Sequence, residues 1–255
     1  MRPDGRATAL VIGAGRGIGR AVAEVLAEEG YVVIVADIDQ DAAESVASCL
    51  GGGAGSGVAR SVDIADPASM QQLFTWIAEN FGTLDAAANV AGVVSRPCPL
   101  ADVTLAEYQR LIDVNLTGFF LAMQHELRLM TTTGVGAIVN VSSAAGLVGV
   151  PGAAVYTACK HAIVGLTRAT AAEYADKGIR INSVAPSHID TPMLRASLDH
   201  APDQAVAELQ LRQMVPAKRL GSASDVASAV AFLLSDKAAY IAGSVLSVDG
   251  GYVAV

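Results

Sequence analysis

Cationic residues are scarce in this 255-residue sequence, with 17 lysines and arginines against 25 aspartates and glutamates and a formal net charge of −8. A surface so poor in cations has little to offer a phosphate backbone or an anionic bilayer, so no nucleic-acid or membrane partner is expected. Cysteine is scarcer still. Cys49, Cys98 and Cys159 are scattered and odd in number, which makes neither a disulfide framework nor a zinc knuckle and fits a reducing cytoplasm. His125, His161, His188 and His200 lack ligand spacing, so no metal site is expected. No apolar run approaches the length of a bilayer span, and the polar opening Met1-Arg2-Pro3-Asp4-Gly5-Arg6 is unlike a signal peptide, so the expectation is a soluble protein. What the chain does have is 52% hydrophobic and only 16% charged residues, enough to bury a sizeable core. No internal repeat or linker divides it, and one domain over residues 1–255 is expected.

The organising stretch is Val11-Ile12-Gly13-Ala14-Gly15-Arg16-Gly17-Ile18-Gly19. It follows the apolar run Ala9–Ile12 and leads into a helical pattern. Strand, glycine turn and helix start together present bare backbone N–H groups to a phosphate. The common G-x-G-x-x-G spacing does not fit, because its sixth position falls on Ile18 or Arg20; G-x-x-x-G-x-G at Gly13, Gly17 and Gly19 does. A Walker-type loop is excluded, since no Gly-Lys-Ser/Thr follows.

Strand patterns at Ala9–Ile12, Tyr31–Ala36, Val58–Val62, Leu84–Asn89, Ala137–Val141, Ile179–Val184 and Ser244–Val248 alternate with helical ones. The first helix should stop at Gly30, a left-handed position. Asp66-Pro67 should open another, the carboxylate capping and the proline filling the first turn. Thr104-Leu105-Ala106-Glu107 has capping-box spacing and should open a long helix to about Met130; a further long helix is expected from Ala153 to about Tyr174. Gly51–Gly57 reads as a flexible surface connection. The segment 187–220 reads as an irregular lid with short helices. This alternation predicts an α/β fold, a single doubly wound domain with a mostly parallel seven-stranded sheet. Ligands in such sheets bind beyond the carboxyl ends of the strands, where Asp37, Asp63, Asn89 and Ser142-Ser143 are placed.

Asp37 ends the second strand, 18 positions after Gly19. A carboxylate there accepts hydrogen bonds from an adenosine ribose and repels a 2′-phosphate, favouring NAD over NADP. Arg16 is the counter-signal, and a plain helix-capping role is the alternative for Asp37. In Tyr156-Thr157-Ala158-Cys159-Lys160, the phenol and the ammonium share one helical face. The ammonium is expected to lower the phenol pKa from about 10, so that Tyr156 takes a proton from a substrate hydroxyl.

With these motifs in this order, the chain from Val11 to Gly251 resembles the compact short-chain dehydrogenase/reductase family, whose fold is of Rossmann type. Gly13, Gly17 and Gly19 match its cofactor turn, Asp63 its adenine-contacting aspartate, and Asn89-Val90-Ala91-Gly92 its N-N-A-G stretch. Ser143 stands 13 positions before Tyr156, the family spacing for the catalytic serine. The resemblance implies Tyr156 as acid/base, Ser143 holding the substrate oxygen, Lys160 on the nicotinamide ribose, and Asn115 keeping a water that relays protons. It implies NAD contacts from Arg16, Ile18, Asp37, Ile38, Ile64, Asn89, Ala91, Gly92, Tyr156, Lys160, Pro186, Ile189 and Thr191 beside the residues already named, and a homotetramer or dimer paired through the two long helices. Three residues depart from the pattern. Ile12 and Val90 replace polar groups, and an apolar contact between them is expected to stand in for the lost tie. Ser187 replaces glycine and is expected to narrow the nicotinamide site.

The loops 93–100, 144–153 and 187–216 carry mostly apolar side chains such as Val93, Leu147, Val148 and Met193. An uncharged, compact secondary alcohol or its ketone fits them. Gly146–Pro151 and Thr191–Arg195 look like the corresponding stretches of bacterial relatives acting on ring alcohols and diols, and an NAD preference points to oxidation as the working direction. A 3-ketoacyl carrier-protein reductase-like enzyme, or a dinucleotide-binding sensor without turnover, are the competing readings. The acidic balance and Asp37 oppose the first; the intact Tyr156 and Lys160 oppose the second.

Overall fold

Runs of β-branched residues that are apolar on both faces suit a parallel sheet covered on both sides, and here each such run becomes a strand. The computed structural model describes residues 5–52, 55–199 and 201–255. Its strands are β1 (Thr8–Ile12), β2 (Val32–Asp37), β3 (Ser56–Ser61), β4 (Ala86–Asn89), β5 (Gly136–Val141), β6 (Ile179–Pro186) and β7 (Val245–Val248). They form a seven-stranded sheet in the order β3-β2-β1-β4-β5-β6-β7, and every pairing is parallel. The order reverses between β1 and β4, which opens the ligand crevice of a doubly wound sheet at that point.

The helices are α1 (Gly17–Glu28), α2 (Gln40–Cys49), α3 (Pro67–Phe81), α4 (Leu105–Ile112), α5 (Gly118–Met130), α6 (Ala154–Tyr174), α7 (Pro192–Leu198), α8 (Gln204–Met214) and α9 (Ala223–Leu234). Alternation along each strand divides the core in two. Val11, Val33 and Val139 pack with Val22 and Leu26 of α1 and Val230 of α9. Leu10, Ile34 and Ile138 face the other way, onto Phe74 of α3, Phe119 of α5 and Ile163 of α6. Among the described residues no helix is long and apolar enough to cross a membrane.

The expected punctuation is in place. Asp66 accepts from the N–H groups of Ala68 and Ser69 with Pro67 in the first turn, Gly30 has φ +94° after α1, and Thr104 accepts from the Glu107 N–H. The long helix expected over 104–130 is interrupted, because residues Asp113–Thr117 form a π-helical turn between α4 and α5. Such a turn is a local i→i+5 widening inside a helix, and no residue motif in the sequence marks it. Of the expected flexible connection, residues 53 and 54 lie outside the described residues, as does His200.

The expected Ile12–Val90 side-chain contact is not formed. Ile12 belongs to the core on the α3/α5/α6 face, whereas Val90 packs into the core on the opposite face. The tie runs through main chain instead: the N–H groups of Val90 and Ala91 both donate to the Ile12 carbonyl at 2.9 Å.

Candidate active site

The glycine loop leaves β1 with Gly13 at φ +84°, and a Cβ there would lie 2.6 Å from the Ala91 backbone. A Cβ on Gly19 would lie 1.9 Å from the Gly13 carbonyl oxygen. Only bare backbone fits these two approaches. Asp37, 8% exposed, holds the loop from the end of β2: Oδ2 accepts the Gly15 N–H at 2.8 Å and Oδ1 the Asp39 N–H at 3.1 Å. Asp37 is therefore not the helix cap; Asp39 is, accepting the Ala42 N–H. Asp39 also pairs with the Arg16 guanidinium at 2.6 Å, so the one cation of the loop already faces a carboxylate.

Beyond these strand ends lies a cleft of about 520 Å³. Gly13, Arg16, Gly17, Ile18 and Gly19 line its floor, and Asp37, Ile38, Asp63 and Ile64 its outer end. Ala91, Gly92 and Val93 line the inner end, while Thr191, Met193 and Ala196 lean over it from the start of α7. Thr191 caps α7 through the Leu194 N–H, and a Cβ on Gly17 would meet the Thr191 side chain at 3.5 Å. Bare backbone, a helix start and acidic strand ends around an elongated cleft are what a dinucleotide requires.

Not every expected contact lies there. Asn89 is fully buried under the sheet ends, its amide given to Glu126 and Asn140, because its place in the register points it toward α5. Pro186 ends β6 outside the cleft, and Ile189 lines a separate cavity of about 450 Å³ with Val215 and Gly250. Ser187 lines that second cavity too and donates to the Asp249 carbonyl at 3.1 Å; turned away from the cleft, it narrows nothing there.

Asn115, Ser143, Tyr156 and Lys160 are not among the residues that line the cleft; they gather beside it next to Gly92, where an added Cβ would lie 3.0 Å from Asn115 Oδ1 and 3.7 Å from Lys160 Nζ. Asn115 sits in the π turn, fully buried; its Nδ2 donates to the Val93 carbonyl at 2.9 Å and its Oδ1 accepts the Val93 N–H at 3.0 Å. Its side chain thus holds the Val93 backbone through both its donor and its acceptor. Ser143 follows β5, accepts the Ala145 N–H at 3.1 Å and hydrogen-bonds the Tyr156 phenol. Ser142 is structural, its hydroxyl donating to the Lys160 carbonyl at 2.9 Å. Lys160 is buried, with Nζ donating to the Val141 carbonyl at 3.0 Å, 5.0 Å from the Phe119 ring centre and 5.6 Å from that of Tyr156.

Electrostatics at this pair differ from expectation. Burial pushes the Tyr156 phenol up to about 12, against a smaller downward pull from the Ser143 hydrogen bond. Burial lowers the Lys160 ammonium to about 8. The expected lowering of Tyr156 by Lys160 is not found: desolvation of the phenolate dominates, and the one downward pull comes from Ser143. Cys159, beside Lys160, turns into an apolar cluster with Leu111 and Val155, and burial raises its thiol pKa, which keeps it unreactive. Asp39, Val114 in the π turn and the buried Glu126 went unnoticed among the candidate residues; each lacks a motif of its own in the sequence.

A family model described as "Enoyl-(Acyl carrier protein) reductase" matches residues 13–253. Cyclohexanol dehydrogenase of Acinetobacter sp. is 40% identical over 247 residues, covering 96% of this chain and 94% of that protein. The 2,5-dichloro-2,5-cyclohexadiene-1,4-diol dehydrogenase of Sphingobium indicum is 41% identical, covering 97% of each. The crystal structure of levodione reductase superposes with a TM-score of 0.95 at 36% identity over 98% of both chains. The 3-oxoacyl-[acyl-carrier-protein] reductase of Escherichia coli is 39% identical over 95% of this chain and 96% of its own, and a structure described as ElxO with NADP bound superposes at a TM-score of 0.91 with 31% identity, covering 98% of this chain and all of that one. The chain belongs to the short-chain dehydrogenase/reductase family and is an oxidoreductase.

Proposed function

We propose that the protein interconverts an uncharged secondary alcohol, carried on a ring or compact apolar frame, with its ketone, and that it uses NAD. The observation that carries this reading is the grouping of Ser143, Tyr156 and Lys160 beside Gly92, a residue of the glycine-floored cleft at which an added Cβ would lie 3.7 Å from Lys160 Nζ. Relatives named for cyclohexanol and a cyclohexadienediol support a ring substrate, as do the apolar loop residues Val93, Leu147 and Val148.

The bound nicotinamide supplies the hydride acceptor for an alcohol and the donor for a ketone. Ser143 holds the substrate oxygen by a hydrogen bond, and Tyr156 gives that oxygen a proton or takes one from it. With the phenol near 12, Tyr156 is protonated at neutral pH and stands ready as the acid for ketone reduction. Oxidation needs the phenolate, for which the Lys160 ammonium, 5.6 Å from the Tyr156 ring centre, is the nearby positive charge. Asn115 fixes Val93 through its side chain. For the cofactor, Asp37 at the loop and Asp39 on Arg16 set two carboxylates where a 2′-phosphate would lie, which supports NAD.

The likeness to a 3-oxoacyl carrier-protein reductase favours a second reading. That partner is acidic, however, and the chain's net charge of −8 gives it little to meet. Three free cysteines support a cytoplasmic setting. Exposed Leu105, Tyr108 and Phe120 on α4 and α5 support a homotetramer or dimer.

A Tyr156→Phe variant tests the reading. It is expected to bind NADH as the wild type does and to turn over no ketone; unchanged turnover removes Tyr156 from the mechanism and defeats the proposal.

A further inference from the structure

Near the Tyr156–Lys160 pair, a buried polar row crosses the sheet. Asn89 of β4, Asn140 of β5 and Ser183 of β6 are register partners. All three are fully buried, and so are Glu126 of α5 and Thr167 of α6. Asn89 Nδ2 donates to Glu126 Oε2 at 3.1 Å and to Asn140 Oδ1 at 3.0 Å. Asn140 Nδ2 donates to Thr167 Oγ1 at 3.0 Å, and Ser183 Oγ donates to the Asn140 carbonyl at 2.9 Å. The hydrogen bonds thus run without a break from α5 through β4 and β5 to α6.

Both attachments of Lys160 belong to this row. Thr167 lies seven residues after Lys160, two turns along the same face of α6. Val141, whose carbonyl accepts from Lys160 Nζ, directly follows Asn140. Fixing Asn140 and Thr167 therefore fixes the acceptor and the helix that set the Lys160 ammonium.

Glu126 ends the row in its neutral form. It has no cationic partner, and burial pushes its carboxyl up to about 8, with the Asn89 hydrogen bond opposing. Glu126 Oε1 and Asn89 Oδ1 are both buried acceptors with no partner of their own, and the protonated carboxyl carries the donor this corner otherwise lacks. A buried polar network of this kind adds no stability over well-packed apolar residues of similar volume, so its presence points to what it positions.

We propose that Glu126, through Asn89 and Asn140, is a positioning residue for the Tyr156–Lys160 pair. The proposal rests on the reading of Tyr156 as the proton-transfer group. The test compares Glu126→Leu, Glu126→Gln, Thr167→Val and Tyr156→Phe with the wild type, using cyclohexanone and NADH. It reads kcat and KM separately, and the NADH Kd by fluorescence.

Glu126→Leu is expected to lower kcat tenfold or more while KM and the NADH Kd stay within threefold. Glu126→Gln, which keeps a neutral donor and acceptor, retains kcat within threefold. Thr167→Val, a near-isosteric change at the far end of the row, lowers kcat at least threefold and stands in for Glu126→Leu should that variant not fold. Wild-type kcat in Glu126→Leu or in Thr167→Val overturns the proposal, as does a Glu126→Gln variant as impaired as Glu126→Leu. A Tyr156→Phe variant that keeps its turnover defeats the underlying reading instead; an inactive one beside unaffected row variants defeats the positioning role alone.

Discussion

Along β1 to β3 the sheet presents main chain to the crevice, and along β4 to β6 it presents side chains. At the first end the glycines remove side chains altogether, and Asp37 spends both carboxylate oxygens on the N–H groups of Gly15 and Asp39. At the second end the proposed reactive groups, Ser143, Tyr156 and Lys160, are side chains, and Asn89, Asn140 and Thr167 form a buried hydrogen-bonded row nearby. Backbone recognition tolerates almost no added atom, whereas the chemical end tolerates isosteric change but not loss of a proton or a charge. Substitutions at the two ends should therefore fail in different ways.

The largest effect is expected at the chemical end. Tyr156→Phe removes the acid/base and should lower kcat by about 10²–10⁴-fold, the usual range for such a group, with NADH affinity kept. At the backbone end, Gly19→Ala drives a Cβ to within 1.9 Å of the Gly13 carbonyl. Relief of that overlap distorts the loop at a cost of about 1–3 kcal/mol, so NADH binding measured by fluorescence titration should weaken about tenfold or more and the melting temperature should fall. If Gly19→Ala instead lowered kcat and spared binding, the division between the two ends would be wrong.

A smaller effect is expected for Asp37→Ser, which removes the carboxylate facing a 2′-phosphate. The ratio of kcat/KM with NADP to that with NAD should rise about tenfold, or about 1.4 kcal/mol; a fall in that ratio would break the cofactor argument.

Glu126→Gln probes the support layer through pH. The Glu126 carboxyl, about 8 in the folded chain against about 4.3 in an unfolded one, binds its proton more tightly when folded. The stability it contributes is full below the unfolded value and is lost as pH rises through the folded one. The melting temperature of Glu126→Gln relative to wild type should therefore climb between pH 5 and pH 8 and level off above that, by about 2–4 °C for each kcal/mol recovered. A difference that stays flat with pH would contradict a neutral Glu126.

The smallest effect belongs to the lid, where Arg195 pairs with Asp190 and Glu208 on the surface. Arg195→Ala should leave the melting temperature almost unchanged, as loss of an exposed ion pair does, and the NADH Kd within twofold.

Much of this was legible in the residues themselves. The β-branched runs gave the strands, and the strand–glycine–helix order with Asp37 gave the cofactor end. The i, i+4 placement of Tyr156 and Lys160, with Ser143 at its family distance, pointed to the three side chains that the fold brings together and that the proposed function uses. What stayed hidden depends on faces and long-range partners. The π turn at Asp113–Thr117 has no residue motif that marks it. Ile12 and Val90 are adjacent in the pairing yet point to opposite faces. Ser187 turns toward Asp249 only because β6 and β7 are neighbours, and Glu126 meets Asn89 across 37 residues of sequence. The rise of the Tyr156 pKa depends on how deeply its hydroxyl is desolvated, which only packing determines.

The central claim is that a ring alcohol is oxidised with NAD at the Tyr156 end of a cleft that Asp37 keeps for the unphosphorylated cofactor. The most direct measurement is kcat/KM for cyclohexanol and for linear secondary alcohols, each offered with NAD and with NADP. The account predicts cyclohexanol above the linear alcohols and NAD at least tenfold above NADP. Higher activity with NADP, or no activity on any secondary alcohol, would contradict it.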